Sequence, residues 1–509
     1  SRQAYRRNRK SEVRRMGLMD VFRRNKAVKA KRSYLAASKS RIFADFNASQ
    51  RSPDSEIRWS LVEMRSRSRD LERNNEYMRR YLQLLKTNVV GEGGVRLQLK
   101  SRNDDGSLDI GGNNIIEGAW SEFCRLGGPT VDGQMSMIDL LVHIICSTAR
   151  DGEVFLRIVR RQDMRHGIGF QVLEPDVVDE QMNEVYRGGN EVRMGVELDK
   201  STRRPVAYHV LLNHPGDYDY TTLSSGMKRV RIPAAEMMHI YRPDRAGQTR
   251  GVPWSVSAIP SLKMLAGYME AELISARTAS AKMGFFISPS GDEMTADDYE
   301  DEVTPIFSAE PGTFHQLPAG TDFKPYSPDH PTSAFAEFEK AILRGVASGL
   351  GVSYTSLANN LEGTSYSSIR QGALEERDNY RVIQRWLIDH FLDPAYRMWL
   401  DHVMDFRLVP IYGPTKYSKF TSSITWKPRG FQWVDPQREM NASIAGLQNG
   451  ILSHSDVAAQ YGRDAEETFA AIQRDMQAAK QYGLTMAYQP FGDKQPVPAE
   501  VEGEDAEVV

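Results

Sequence analysis

Cysteine is nearly missing: Cys124 and Cys146 are the only two in 509 residues. Two are too few for a disulfide framework or for the four spaced ligands of a structural zinc site, so synthesis in a reducing cytoplasm is expected. Long apolar runs are missing too. No stretch approaches the roughly 18 uncharged apolar residues of a membrane span, and the Arg-rich N-terminus lacks the apolar core of a signal peptide. Motifs that carry chemistry are equally scarce. GxxxxGK[ST], the phosphate-cradling loop, does not occur; the nearest glycine-rich piece, Gly91-Glu92-Gly93-Gly94, precedes a strand pattern and reads as a turn. The ten histidines form neither HExxH nor a Cys/His cluster of ligand spacing, so His209, His214, His390 and His402 read as ordinary surface or core residues. GxSxG, the nucleophile elbow, is absent as well. The sequence opens on Ser1 instead of Met, so a trimmed or incomplete N-terminus is expected.

Hydrophobic residues make up 40% and charged residues 26%, near the averages for folded domains, so most of the chain should fold, as about three domain-sized units. The net charge of -2 conceals an uneven distribution. Residues 1–51 hold 16 Lys and Arg against Glu12, Asp20 and Asp45, which leaves the remainder at -15. Such an arm, with Arg6, Arg7, Arg9, Lys10, Arg14 and Arg15 at its start, suits phosphates or other anionic surfaces, or is simply solvated. Its Met16, Leu18, Met19, Val21 and Phe22 beside Arg23 and Arg24 also permit a short amphipathic helix on a membrane or partner surface.

Periodicity predicts an α+β, helix-dominated body. Leu61, Met64, Leu71, Met78, Leu82 and Leu85 recur at helical steps over 54–88, with Ser68 and Asn75 as polar members of the same stripe. Strands are expected at 95–100, 153–160, 169–173, 192–198 and 206–212, with helices at 115–126 and 137–150 between them. An Ala-rich helix over 253–282 follows, its start bent by Pro260, and a second helix over 333–350 returns. Between them lies 283–323, which holds no Lys or Arg and nine carboxylates, and has strand-like ends at 284–288 and 313–317. Two helices flanking a small acidic insertion describe a stalk with a tip. A Ser, Thr, Asn and Gly-rich piece, 351–371, leads to a long amphipathic helix over 367–404 that Pro394 should kink. Strands at 406–411 and 420–426, short helices over 435–482 and a Pro- and Glu-rich end at 489–509, expected to be disordered, complete the chain.

This order resembles the portal proteins of tailed bacteriophages, most closely the lambda-type portal family, from about Arg58 to Gly483. The words that carry the resemblance are Arg73-Asn74-Asn75-Glu76-Tyr77, Ala149-Arg150-Asp151-Gly152-Glu153, the run from His239 through Thr249-Arg250-Gly251 to Trp254, Gly351-Val352-Ser353-Tyr354 and Thr364-Ser365-Tyr366-Ser367-Ser368-Ile369-Arg370. None of these words is catalytic.

The resemblance implies a portal fold: a basic flexible arm (1–51) whose Arg6, Arg7, Arg9, Lys10, Arg14 and Arg15 would contact DNA or capsid, an α+β wing (52–252), stem helices (253–282 and 326–352) around an acidic clip (283–325), a tunnel loop (353–366), the wing's long helix and strands (367–432), a helical crown (433–488) and an acidic tail (489–509). It implies no enzyme and no cofactor, but a homo-oligomeric ring of about twelve subunits at the portal vertex of a virion capsid, assembled in the host cytoplasm. Double-stranded DNA would pass through it without sequence preference during packaging and ejection. The clip, through Asp292, Glu293, Asp297, Asp298, Glu300, Asp301 and Glu302, would dock the terminase large subunit and later a head–tail adaptor, with major capsid and scaffold proteins as further neighbours. The tunnel loop would present Asn359, Asn360, Leu361, Glu362, Gly363 and Thr364 to the channel. Electrostatics agrees with that placement, because a basic wall would hold phosphates and stall movement, and Glu362 is the loop's only charged residue.

Two rivals make different demands. A Mg²⁺-dependent nuclease would need the acidic residues to converge, yet their near-consecutive spacing spreads them around a helix. A capsid or scaffold protein would need no channel.

Overall fold

The computed structural model describes residues 50–484, leaving out 186–188, 218–227, 281–283, 288–321, 326–334, 364, 412, 432–435, 462 and 464. The chain divides into two units, Ser1–Ser52 and Pro53–Val509. Arg6, Arg7, Arg9, Lys10, Arg14 and Arg15 in the first unit lie outside the described residues. So do Asp292, Glu293, Asp297, Asp298, Glu300, Asp301, Glu302 and Thr364 in the second, and the tail 489–509.

The stripe over 54–88 predicts one helix, but the chain makes α1 (Pro53–Ile57), α2 (Leu61–Asn74), α3 (Glu76–Leu85) and a π-turn over Lys86–Val90. The break between α2 and α3 is at Asn75, which is extended (φ -129, ψ 122) and accepts the Met78 N–H on its side chain at 3.0 Å. A short polar side chain that satisfies an orphan N–H competes with helix continuation. The expected polar spot on the stripe is therefore a cap.

Strand β1 (Arg96–Leu99) pairs antiparallel with β12 (Ile424–Lys427), joining the two ends of the body. Helices α4 (Ile110–Phe123) and α5 (Met137–Asp151) lead to β2 (Glu153–Arg160), β3 (Ile168–Leu173) and, later, β9 (Met237–Tyr241), a three-stranded antiparallel sheet ordered β3-β2-β9. A five-stranded meander comprises β4 (Glu184–Val185), β5 (Glu191–Arg193), β6 (Val196–Leu198), β7 (Pro205–Leu211) and β8 (Arg229–Pro233). The single strand expected at 192–198 is thus a hairpin, because Met194 (φ 48) and Gly195 (φ 80) both take the left-handed conformation that tight hairpin turns require.

Helix α6 (Ile259–Ser280) starts six residues later than expected, and Pro260 bends nothing: it occupies the first turn, where its missing N–H leaves no bond unmade. Strand β10 (Gly284–Ile287) pairs antiparallel with β11 (Asp322–Pro325), not with 313–317, which lies outside the described residues. Helix α7 (Phe335–Leu350) returns to the body. Helices α8 (Tyr354–Ala358), α9 (Tyr366–Leu387) and α10 (Asp393–Asp405) follow. The long helix divides before Pro394, through a π-turn at Ile388–Leu392. That wider turn accommodates a proline ring that would otherwise press on the carbonyl four residues back.

No strand forms at 406–411, where Arg407 takes φ 52, and Phe420 is buried on α11 (Pro414–Ser422), not in a strand. The core centres on Trp120, with Trp399, Tyr396 and Trp426 at ring-centroid distances of 5.1, 5.4 and 6.1 Å. The final helices are α12 (Pro436–Gln448), α13 (His454–Gln460), whose cap Ser453 exchanges bonds with Asp456, and α14 (Ala465–Gln481). Among the described residues no helix is long and apolar enough to cross a membrane.

Candidate functional site

Helix α2 carries Arg65 one turn beyond Leu61, on its inward face. Its guanidinium, fully buried, reaches Glu153 Oε1 at 3.2 Å and Asp176 at 3.2 Å. Glu153, also fully buried at the start of β2, is the hub of this cluster. Its Oε1 accepts from Arg250 Nε at 2.8 Å, while Oε2 accepts the Gly251 N–H at 2.8 Å and lies 2.8 Å from His239 Nε2. Arg250 spends its other donors on the carbonyls of Val178, Met194 and Pro175, at 3.2, 2.6 and 2.9 Å. One buried ionic knot therefore joins α2, the three-stranded sheet, the meander and the 248–251 segment.

Two glycines let the segment entering β2 and the 251–252 segment approach each other. A Cβ on Gly152 (φ +92) would lie 2.5 Å from the Val252 carbonyl carbon, and one on Gly251 would lie 2.1 Å from the Gly152 oxygen. Burial works to raise the Glu153 carboxyl's pKa, but Arg250, the His239 hydrogen bond and Arg65 outweigh it and hold the group ionised far below the usual carboxylate range. His239 is pushed down by burial, against its bond to Glu153, and is stacked between Phe155 (4.2 Å) and Tyr241 (4.4 Å). A carboxylate paired with an imidazole suggests acid–base chemistry, yet both oxygens of this one are saturated and its ring is clamped. The knot holds elements together.

Glu174, Asp176 and His214 bring three potential ligand atoms within 4.8 Å of one another. Asp176 is already engaged by Arg65 and Arg69, and two guanidinium groups at that carboxylate oppose a cation.

The segment expected as a tunnel loop is half helix. Ser353 caps α8 by accepting the Ser356 N–H at 3.2 Å, and the helix stops at Asn359, which is left-handed (φ 51). Glu376 on α9 anchors this first half, accepting from Ser353 Oγ, Ser356 Oγ and Tyr380 Oη at 2.9, 2.8 and 2.6 Å. Arg80 on α3 adds a bond to the Ser356 carbonyl at 3.0 Å. Beyond it the Asn360 side chain accepts the Glu362 N–H at 2.8 Å, and Leu361, Glu362 and Gly363 are exposed, Leu361 at 62%. Ser365 then caps α9. The structure thus brings Asn359, Asn360, Leu361, Glu362 and Gly363 together as a short exposed tip between two capped helices.

Helices α6 and α7 pack on each other, with Tyr268 stacked against Phe335 at 5.7 Å and edge-on to Phe338 at 5.3 Å. Away from that contact α6 exposes Met264 (75%), Leu273 (64%) and Ile274 (55%). A helix apolar on more than one side is built for burial on more than one side. Sequence reasoning missed Arg65, Glu153, Arg250 and Glu376. Arg65, four residues beyond Leu61 on the apolar stripe, was the signal for the first.

The words Ala149–Glu153 and Thr249–Gly251, read as resemblance alone, meet at this knot, and comparison with known proteins gives them a context. The family model for the phage portal protein, lambda family, matches residues 39–384, a span that includes the knot, α6, α7 and the exposed tip. A probable portal protein of Halomonas phage phiHAP-1 is 34% identical over 431 residues, covering 84% of this chain and 82% of that protein. Portal protein B of Escherichia phage lambda is 22% identical over 485 residues, covering 86% and 88%. Among solved structures, a chain from the neck of an empty gene transfer agent particle aligns with a TM-score of 0.43 at 16% identity, over 83% of this chain and 98% of that one. With the family model spanning well over half of its residues, the chain belongs to the lambda family of phage portal proteins.

Proposed function

We propose that this portal subunit, a head–tail connector component of the virion, divides its work among three parts of the chain. Copies of it close into a ring through α6 and α7, about twelve to a ring; the tip Asn359–Gly363 faces a passage for double-stranded DNA; and the acidic segment 283–325 docks the terminase large subunit and later a head–tail adaptor. The subunit itself catalyses nothing and is assembled with capsid and scaffold proteins in the host cytoplasm. The observation that carries this reading is the apolar surface of α6. Met264, Leu273 and Ile274 stand exposed on a helix that packs chiefly on α7 and α2, and a neighbouring subunit would cover them.

Electron microscopy of the purified protein tests the ring: a closed particle with a central hole is expected, and monomers under all conditions would overturn it. For docking, Asp297→Lys, Asp298→Lys and Asp301→Lys together should leave rings intact and abolish terminase binding in a pull-down. Unchanged binding would remove the docking assignment.

A further inference from the structure

A cavity of about 1140 Å³ lies between the body and helices α12 to α14. Its floor is apolar, with Val142, Leu447, Val457, Ala458 and Ile472, and its other lining residues include Lys86, Arg429, Arg463 and His454 against one carboxylate, Glu92. Arg429 donates to the Thr87 carbonyl and to Asn88 Oδ1, not to a carboxylate, and lies 5.4 Å from the Phe431 ring centre. Arg377 and Arg381 approach the same ring at 5.5 and 5.7 Å without lining the cavity, and Arg381 is paired with Asp378 at 2.7 Å, so the cationic border rests on Lys86, Arg429 and Arg463. An apolar trough with a cationic border suits an acidic, partly apolar peptide.

The chain carries one. Residues 485–509 contain Met486, Tyr488, Phe491, Val497 and Val501, and place Asp493, Glu500, Glu502, Glu504, Asp505 and Glu507 against a single base, Lys494. Reach is sufficient. Ile472, on the groove floor, precedes the end of α14 at Gln481 by nine residues, about 14 Å of helix. The thirteen residue steps from Leu484 to Val497 can extend about 40 Å.

We propose that residues 489–509 dock in this groove of their own subunit, carboxylates on the cationic border and valines on the floor. The test uses the full-length chain, the same chain lacking 489–509, and a fluorescein-labelled peptide of residues 489–509 followed by anisotropy. The peptide should saturate the shortened chain, bind the full-length chain about tenfold more weakly because the site is filled, and weaken as salt rises. Arg463→Glu in the shortened chain, and separately a peptide with Glu500, Glu502 and Glu504 changed to Gln, should each reduce binding several-fold. No saturable binding to the shortened chain, equal binding to both chains, or indifference to the Gln peptide would each overturn the proposal. Carbodiimide coupling in mixtures of ¹⁴N- and ¹⁵N-labelled chains decides whose tail is bound. Same-label links from Lys86 to the tail are expected, and mixed-label links would assign the groove to a neighbouring copy and overturn same-chain docking.

Discussion

Replacing Glu153 by Gln keeps the volume at the centre of the knot and removes its charge. Arg65 would retain Asp176 at 3.2 Å, but Arg250 would be left, fully buried, with only carbonyl oxygens and a neutral amide to accept its bonds. Breaking a buried pair from one side costs about 3–5 kcal/mol, chiefly the expense of an uncompensated charge in a poorly polarisable interior. Urea unfolding followed by tryptophan fluorescence reads this at a fixed protein concentration, so that assembly contributes equally to each variant. The paired control is Glu153→Gln with Arg250→Met, which removes both charges. If the cost is the orphaned cation, the double variant recovers a substantial part of the loss instead of adding to it. A loss under about 1 kcal/mol for Glu153→Gln would refute the argument, since that is what an exposed pair is worth. So would full additivity in the double variant.

The same knot predicts pH behaviour. Because the folded Glu153 carboxyl sits below its unfolded value, its contribution is present above about pH 4.3 and is lost only as pH falls through the lower folded value. His239 has the opposite charge type but the same direction: with its pKa lowered by burial in the folded state, it leaves the unfolded chain with more bound protons as pH falls through about 6.5, so stability should decline there, and His239→Gln should flatten the slope in urea titrations at pH 7 and 5. Gly251→Ala should cost at least about 3 kcal/mol, because its Cβ would strike backbone and not a side-chain end that can swing aside; a near-neutral result by thermal melting would mean the two backbone segments can separate. Glu376→Ala removes the acceptor of three hydroxyl groups, so amide exchange over residues 353–358 should accelerate about tenfold or more while the rest of the body is unchanged.

What could be read in advance follows the range of the interactions involved. Strand β2 and helix α5 were legible almost to the residue because their apolar periods are local, and the end of α5 is marked by Asp151-Gly152. Asn75 and Met194 were misread because a cap and a left-handed turn residue look, in sequence, like any member of a helical stripe or a strand. The knot was not legible. Arg65 and Glu153 are 88 positions apart, and Glu153 and Arg250 are 97 apart, and no local pattern distinguishes a buried charge from a solvated one. The residues that the resemblance proposes for the passage, Asn359 to Gly363, lie in a stretch rich in Ser, Thr, Asn and Gly, a composition that marks where regular structure stops but not that the five residues before them are helical.

Those five helical residues change the mechanics of the exposed tip. A free loop from Ser353 to Ser365 would have thirteen residues of conformational freedom to lose against anything passing it. With α8 formed and pinned to Glu376 and Arg80, and α9 capped by Ser365, the described part without such support shrinks to the residues around Asn360 to Gly363. A short tip on rigid supports can yield locally and return without disturbing the helices that carry it. Its only formal charge is Glu362, so on the proposed placement beside DNA it would offer the Asn359 and Asn360 amides and no cation to hold a phosphate. On the placement proposed above, gripping and sliding would make opposite demands on such a tip, and both its anchoring and its charge would suit sliding.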